Sequence, residues 1–234
     1  MKYLKKFNTM AEYEAFIASD EFVKPNVSLV EQDNVIFYHR FIKPGVYIQH
    51  IDNSIHTPAN WTAAGFSNDK ANGIAVIDNK ASFVIALKEK YYLAWASDTS
   101  TLLEGVTTIA HSTNQINDYA GYDNTEAMML VDTSGAAHYC YNYIFPNGAR
   151  GYLPSMGEWS VAGRRKASIE SALQLVGGTA FNSGYPNYSY WSSTQYDATK
   201  ACSFSMKNNA ISGSTGVNKS NAYMLIRAFA KLDI

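Results

Sequence analysis

One segment of the sequence leaves the fold little freedom. Gly151-Tyr152-Leu153-Pro154 leads into Ser155, and Ser155 with Glu158 spells a capping box at the start of a helix. In such a box each side chain satisfies a backbone N–H that the first helical turn leaves without a partner. Trp159 and Val161 open an apolar face, Ile169, Leu173 and Val176 continue it at helical spacing, and Gly177-Gly178 ends the run. The sequence therefore predicts one helix from Ser155 to Val176, embedded in text that otherwise reads as short strands and polar loops.

The N-terminal residues repeat the capping signal. Thr9 with Glu12 precedes Met10, Tyr13, Phe16 and Ile17 on one face, Asp20 closes that helix, and Pro25 marks a turn. Val27–Val30 and Asn34–Ile42 read as strands before the turn at Pro44-Gly45. Residues 1–44 are thus expected to form a small α/β unit, with residues 45–234 as the larger part. In the larger part, Val46–Ile48, Gly73–Ile77 and Ser82–Leu87 are strand candidates, with a turn at Asp78-Asn79. A helix is expected around Thr125–Val131, a strand at Tyr139–Phe145, and a turn at Pro146-Asn147-Gly148. Tyr188–Ser193, Ala201–Met206 and a run from Tyr223 to Leu232 complete the strands.

Composition excludes several classes. Hydrophobic residues make up 47% and charged residues 17%, which is incompatible with intrinsic disorder. Nineteen basic residues against twenty acidic give no electrostatic footprint for nucleic acid. No apolar run is long enough to cross a bilayer, and MKYLKKFNTM lacks the apolar core of a secretory signal. What stands out is aromatic content without charge, with 17 Tyr, 11 Phe and 4 Trp, a mixture suited to neutral binding surfaces. Cys140 and Cys202 could bridge or could be buried thiols.

Catalytic and cofactor signatures are missing. There is no G-x-G-x-x-G or G-x-x-x-x-G-K-[ST] to cradle phosphate, and Gly213-Ser214-Thr215-Gly216 fits a hairpin loop better than a nucleophile elbow. His50, Asp52 and His56 are the nearest approach to a metal set, but nothing else there has ligand spacing, so no metal and no cofactor are expected. Arg164-Arg165-Lys166 reads as a solvated helix face. Trp159 and Trp191 read as core anchors, and Tyr190 as a buried ring with its hydroxyl in water. Ser192-Ser193-Thr194 would satisfy backbone groups where pairing stops, and Arg227 would reach a buried carbonyl or carboxylate.

Three words in this order carry a resemblance: Leu153-Pro154-Ser155-Met156-Gly157-Glu158-Trp159, Tyr190-Trp191-Ser192-Ser193-Thr194-Gln195-Tyr196, and Arg227-Ala228-Phe229. They resemble the recurrent skeleton of bacterial C-type-lectin-fold domains, a superfamily that includes the formylglycine-generating enzymes. From Lys5 to Phe229, with segments at 67–78 and 132–136, the chain is similar to variable proteins of diversity-generating retroelements from gut phages and mobile elements. The resemblance implies an α+β C-type lectin fold, with mixed, irregular antiparallel sheets and two helices, behind the small N-terminal α/β unit. It implies a non-enzymatic protein that displays a diversified surface toward a protein or glycan receptor on a bacterial surface. Residues 1–44 would attach to a phage tail assembly, and the protein would be virion-associated or cell-surface, without a Sec signal peptide and cytoplasmic at synthesis. A fixed structural subunit or adhesin is the alternative, and a formylglycine-generating-type enzyme using Cys202 a further one.

In that family adenine-specific mutagenesis turns Asn codons into Tyr, Ser, Asp, Cys and similar residues across the ligand-facing surface. The resemblance thus assigns ligand binding to the region of about 180–225, at Asn182, Tyr185, Asn187, Tyr188, Asp197, Thr199, Cys202, Ser203, Ser205, Asn208, Asn209, Asn218, Asn221 and Tyr223. Lys207 and Met224 cannot arise from Asn codons by adenine changes and are read as fixed or otherwise encoded. Two departures narrow the reading. The calcium motifs of sugar-binding lectins are replaced by Tyr185-Pro186-Asn187 and Trp191-Ser192-Ser193, and the paired C-terminal cysteines of the oxidases are not present.

Overall fold

A computed structural model of the chain describes residues 2–7, 9–17, 27–32, 35–110, 112–182, 184, 189–212 and 215–232. It divides into two compact units, Met1–Gly45 and Val46–Asp233. The first holds β1 (Lys2–Phe7), α1 (Met10–Ile17), β2 (Val27–Gln32) and β3 (Val35–Phe41), with the strands in the antiparallel order β1-β3-β2. Thr9 caps α1 by accepting the Glu12 N–H at 3.2 Å. The sequence reading did not anticipate β1, because Lys5-Lys6 masks the alternation of Tyr3 and Phe7. The expected helix end at Asp20 and turn at Pro25 lie outside the described residues.

Among the described residues the second unit is a mixed α+β fold with two sheets. Its elements are β4 (Gly45–His50), β5 (Ile55–His56), α2 (Pro58–Ala63), β6 (Ala71–Ile77), β7 (Ser82–Ile85) and β8 (Lys90–Tyr91). Then come α3 (Ser112–Gln115), α4 (Gly121–Met128), α5 (Ala136–Tyr141), α6 (Met156–Arg164) and α7 (Lys166–Leu175). The chain closes with β9 (Ser189–Gln195), β10 (Lys200–Ser205), β11 (Ala210–Ile211), β12 (Val217–Asn218), β13 (Leu225–Ile226) and β14 (Phe229–Lys231). One sheet runs β14-β7-β6-β4-β5, and the other runs β11-β10-β9-β13-β8 with β12 also on β10. In the second sheet β13 is parallel to β9 and every other pair is antiparallel.

The apolar run of β6 is buried at all seven positions, as expected of a strand covered on both faces. Gly73 is required there: a Cβ would stand 2.6 Å from the Ile85 carbonyl oxygen, inside contact distance of the neighbouring backbone. At the turn that follows, the Asp78 N–H donates to the Ala81 carbonyl at 3.1 Å. Phe83 and Phe229 stack across β7 and β14 with centroids 4.6 Å apart.

The three distinctive words of the sequence meet in one core. Trp159 packs 4.9 Å from both Tyr190 and Phe229, and its indole N–H donates to the Trp191 carbonyl at 2.9 Å. Tyr152 and Phe229 exchange backbone hydrogen bonds at 2.7 and 3.0 Å, and the Ser193 N–H donates to the Pro154 carbonyl at 2.9 Å. The capping box forms, with the Ser155 N–H donating to Glu158 Oε2 at 2.8 Å. The Ser192 and Thr194 hydroxyls of β9 satisfy backbone groups as read from the sequence, while that of Ser193 accepts the Asn124 side-chain amide at 3.1 Å. Ser192 donates to the Cys202 carbonyl, and Thr194 accepts the Met156 N–H while donating to Asp118.

Five expectations are corrected. Tyr139–Phe145 is not a strand, since α5 covers its first half; the Asp132 carboxylate accepts the Gly135 and His138 N–H groups and holds the start of that helix. The period-two spacing of Tyr139, Tyr141, Tyr143 and Phe145 imitated a strand. The helix expected at Thr125–Val131 lies earlier, at Gly121–Met128, leaving Leu130 and Val131 exposed beyond its end. The helix after Ser155 is two helices broken at Arg165. The basic run at the break does more than solvate: Arg165 donates to Asp78 at 2.9 Å and Lys166 to the Met206 carbonyl at 2.9 Å. Finally, the Tyr190 hydroxyl is not in water. It is buried, donates to Glu89 and accepts the Asn182 N–H at 2.8 Å.

Candidate binding cleft

Beneath the surface sits a buried ion pair that orders one end of the second sheet. Arg227 Nη2 lies 2.9 Å from Glu89 Oε2, both side chains being essentially without solvent, and also reaches the Thr179 carbonyl at 2.9 Å. Glu89 receives the Tyr190 hydroxyl from inside and the Tyr91 hydroxyl, at 2.7 Å, from the surface side. That bond to Glu89, with partial burial, raises the Tyr91 hydroxyl pKa, and the Asn182 side chain lies against the same hydroxyl. The sequence had marked Arg227 for such a pairing; Glu89 carried no local signal.

From β8 the chain turns sharply through Tyr92, whose φ is +66°. A bulky side chain in the left-handed region is a true outlier, costing about 1–2 kcal/mol. The Tyr92 N–H is tied to the Met224 carbonyl at 3.2 Å, and Leu225 pairs with Tyr91, so the conformation is imposed by the neighbouring strand β13. The ring consequently stands outward, 55% exposed, beside Tyr223 at 73%. The two rings meet edge to face, 6.2 Å apart at 81°, and Tyr91 lies 5.8 Å behind Tyr92.

Tyr92 and Tyr223 border an open cleft of about 570 Å³, lined by these two with Val217, Asn218, Ser220, Asn221 and Ala222. Among the described residues its lining carries no ionisable group other than the tyrosine hydroxyls. The loop that builds it is braced from within. The Asn221 N–H donates to the Asn218 carbonyl and the Tyr223 N–H to the Asn221 side-chain oxygen, each at 2.9 Å. Aromatic edges with amide and hydroxyl groups on a fixed backbone provide contact area at low entropic cost, together with adaptable hydrogen bonding.

The residues assigned from the sequence are distributed unevenly over this surface. Asn218, Asn221 and Tyr223 line the cleft, whereas Asn182 meets the Tyr91 hydroxyl and is not part of the lining. Tyr185, Asn187 and Tyr188 lie outside the described residues. Asp197 and Thr199 make the β9–β10 turn, where Asp197 accepts the Thr199 and Lys200 N–H groups, each at 2.8 Å. Asn208 and Asn209 sit in the β10–β11 turn and do not line the cleft. Cys202, Ser203 and Ser205 are a correction: they lie inside β10 at 1%, 0% and 1% exposure and cannot touch a ligand. Strand β10 is covered on both faces, so its alternating small residues all face protein, and the period-two pattern exposed none of them. Tyr92, Val217, Ser220 and Ala222 were missed, the first because it stands some 130 residues upstream and only the β8–β13 pairing brings it here.

Burial also defines the thiols. Cys140 and Cys202 are unbridged, burial raises the Cys140 pKa well above its usual range, and burial with the Asp118 charge pushes Cys202 up to about 12. Near the β4–β5 turn His50 meets Asp52 at 2.9 Å, and Ser54 links Asp52 to His56. Among the described residues no group of three or more His, Cys, Asp or Glu side chains is arranged to hold a metal. Among them, too, no helix is long and apolar enough to cross a membrane.

No family model matches this sequence, and no curated protein is significantly similar to it. A solved structure is similar in fold. It is a fimbrial protein from Bacteroides ovatus ATCC 8483, matched at a TM-score of 0.54 and 18% identity over 80% of this chain and 48% of that one. The chain thus spans about half the length of that protein, and the likeness concerns the fold alone.

Proposed function

We propose that the protein is a non-enzymatic binding protein, that its second unit is a C-type-lectin-type scaffold, and that the Tyr92–Tyr223 cleft is its ligand-binding face. The observation that carries the binding reading is Tyr92, a bulky residue held at positive φ with its ring exposed beside a second exposed tyrosine. Strained backbone that presents a side chain to solvent is characteristic of functional sites. The scaffold reading is supported by the convergence of the helix-start, β9 and β14 words on one core. A diversified face, as in retroelement variable proteins, is supported by the clustering of Asn218, Asn221 and Tyr223 in the cleft while Met224, read as fixed or otherwise encoded, is buried. The partner is a protein or glycan receptor on a bacterial surface, met by the protein on a phage tail or a cell surface, with residues 1–44 as the attachment unit.

A second reading, a fixed adhesin or structural subunit, is favoured by the similarity to a fimbrial protein. Deep sequencing of the gene across a population of carrying cells separates the two. Variation concentrated at 218, 220–223 and 182 that spares Trp191 and Arg227 supports diversification. Scattered or absent variation supports the fixed subunit. The cleft itself is tested by Tyr92→Ala/Tyr223→Ala, expected to abolish adhesion to cells that the wild-type protein binds while keeping its unfolding midpoint; retained adhesion would remove the cleft from the function.

A further inference from the structure

The centre of the cleft loop is a lysine that does not face the cleft. Lys219 lies between exposed Asn218 and exposed Ser220, yet it is fully buried. Its ammonium group donates to the Thr101 carbonyl at 2.7 Å and to Gln195 Oε1 at 3.0 Å, and stands 4.7 Å over the Trp95 ring. Among the described residues it has no carboxylate within salt-bridge distance, so three neutral groups replace its hydration. Its backbone is held as firmly: the Lys219 N–H donates to the Thr199 carbonyl at 2.9 Å, and its carbonyl accepts the Trp95 N–H at 2.8 Å. Burying a charge is costly, and a side chain that does so at the middle of an exposed loop fixes that loop's position.

The residues on either side do no such work. The side chains of Asn218, Ser220 and Tyr223 make no hydrogen bond among the described residues, and Ala222 has none to make. Asn221 differs, since its side-chain oxygen closes the turn by accepting the Tyr223 N–H.

We propose that Lys219 is the positioning residue of the cleft, and that the side chains of Asn218, Ser220, Ala222 and Tyr223 determine what the cleft accepts without holding its backbone in place. The assignment of specificity rests on the cleft being the binding face; the division between positioning and exchangeable residues does not. A protein built this way can change four neighbouring surface residues while its loop stays where Lys219 pins it.

The experiment needs no ligand, so its failure is distinguishable from failure of the binding reading. Backbone amide hydrogen exchange is followed in the wild type, in Lys219→Met, and in a combined variant, Asn218→Ser/Ser220→Asn/Ala222→Ser/Tyr223→Ser. Methionine keeps the length of the stem and removes every donor. In Lys219→Met the Lys219 and Asn221 amides are expected to exchange roughly ten- to hundredfold faster, the loss that follows from leaving buried acceptors unsatisfied. Amides of β9 and β14 keep wild-type protection, a contrast that a merely global destabilisation would not give. The combined variant keeps wild-type exchange throughout. Loop exchange unchanged in Lys219→Met, or accelerated equally in the combined variant, would overturn the proposal. If Lys219→Met does not fold, Lys219→Gln, which retains a donor, is measured in the same way; failure of both to fold would make Lys219 a determinant of the whole fold and would likewise overturn it.

Discussion

Glu158 couples the helix start of the core to pH, and replacing it by glutamine isolates that coupling. The carboxyl group is buried at the N-terminus of α6, where Oε2 accepts the Ser155 N–H and hydroxyl and Oε1 accepts the Tyr152 hydroxyl at 2.7 Å. Burial pushes its pKa up from an ordinary 4.5 to about 7; the nearby Asp118 charge adds to the rise, and the bonds from Ser155 and Tyr152 oppose it. Because the folded value exceeds the unfolded one, the folded protein binds the proton more tightly between those limits. Stability contributed by Glu158 is therefore fully present below about pH 4.5, declines as pH rises toward about 7, and is level above it. At about 1.4 kcal/mol per pH unit the decline amounts to about 3 kcal/mol. Glu158→Gln keeps an acceptor for the Ser155 N–H but cannot ionise. Urea unfolding of both proteins from pH 4.5 to 8 at constant ionic strength, with the variant subtracted from the wild type, cancels the other titrating groups. The difference should fall by about 3 kcal/mol across the window. A flat difference would show that the carboxyl is not desolvated, and a rising one that the capping bonds outweigh burial; either refutes the reasoning.

Other expectations follow from the same structure. Tyr92→Gly should be more stable than Tyr92→Ala by about 1 kcal/mol in urea unfolding, because only glycine relieves the positive φ. Neither Cys140 nor Cys202 should react with a thiol reagent in the native protein at neutral pH, while both should react in denaturant; a fast native reaction at Cys202 would revive an enzymatic reading. Glu89→Ala, which strands the buried Arg227 charge and takes the acceptor from Tyr91 and Tyr190, should lose about 3–5 kcal/mol in the same measurement, whereas Glu89→Leu/Arg227→Met should recover most of it.

Elements whose signal is local were legible in the sequence. Ser155 and Glu158 define a helix start because the capping box is made within four residues. The Asp78-Asn79 and Pro146-Asn147-Gly148 turns, and the buried run of β6, are likewise statements about near neighbours. The anchoring of Trp159 and Trp191 followed from side-chain size alone. The α+β character of the larger unit was implied by the resemblance that the helix-start, β9 and β14 words carry, and the mixed fold agrees with it at that level.

What depended on partners distant in the chain was not legible. Asp132 turns a strand-like run into α5 by accepting N–H groups, and Glu89 removes Tyr190 from water from across 101 residues. The cleft is the clearest case. Asn218 and Tyr223 were marked from their region of the sequence, but Cys202, Ser203 and Ser205, marked on the same grounds, are covered by protein. Tyr92 reaches the cleft only because β8 pairs with β13, and Lys219 leaves it only because Thr101, Gln195 and Trp95 together replace water around its charge. Composition supplied the aromatic and amide groups of the surface; strand pairing and the desolvation of a few charges decided which of them face outward, since exposure is set by what packs against a residue and not by its neighbours in the chain.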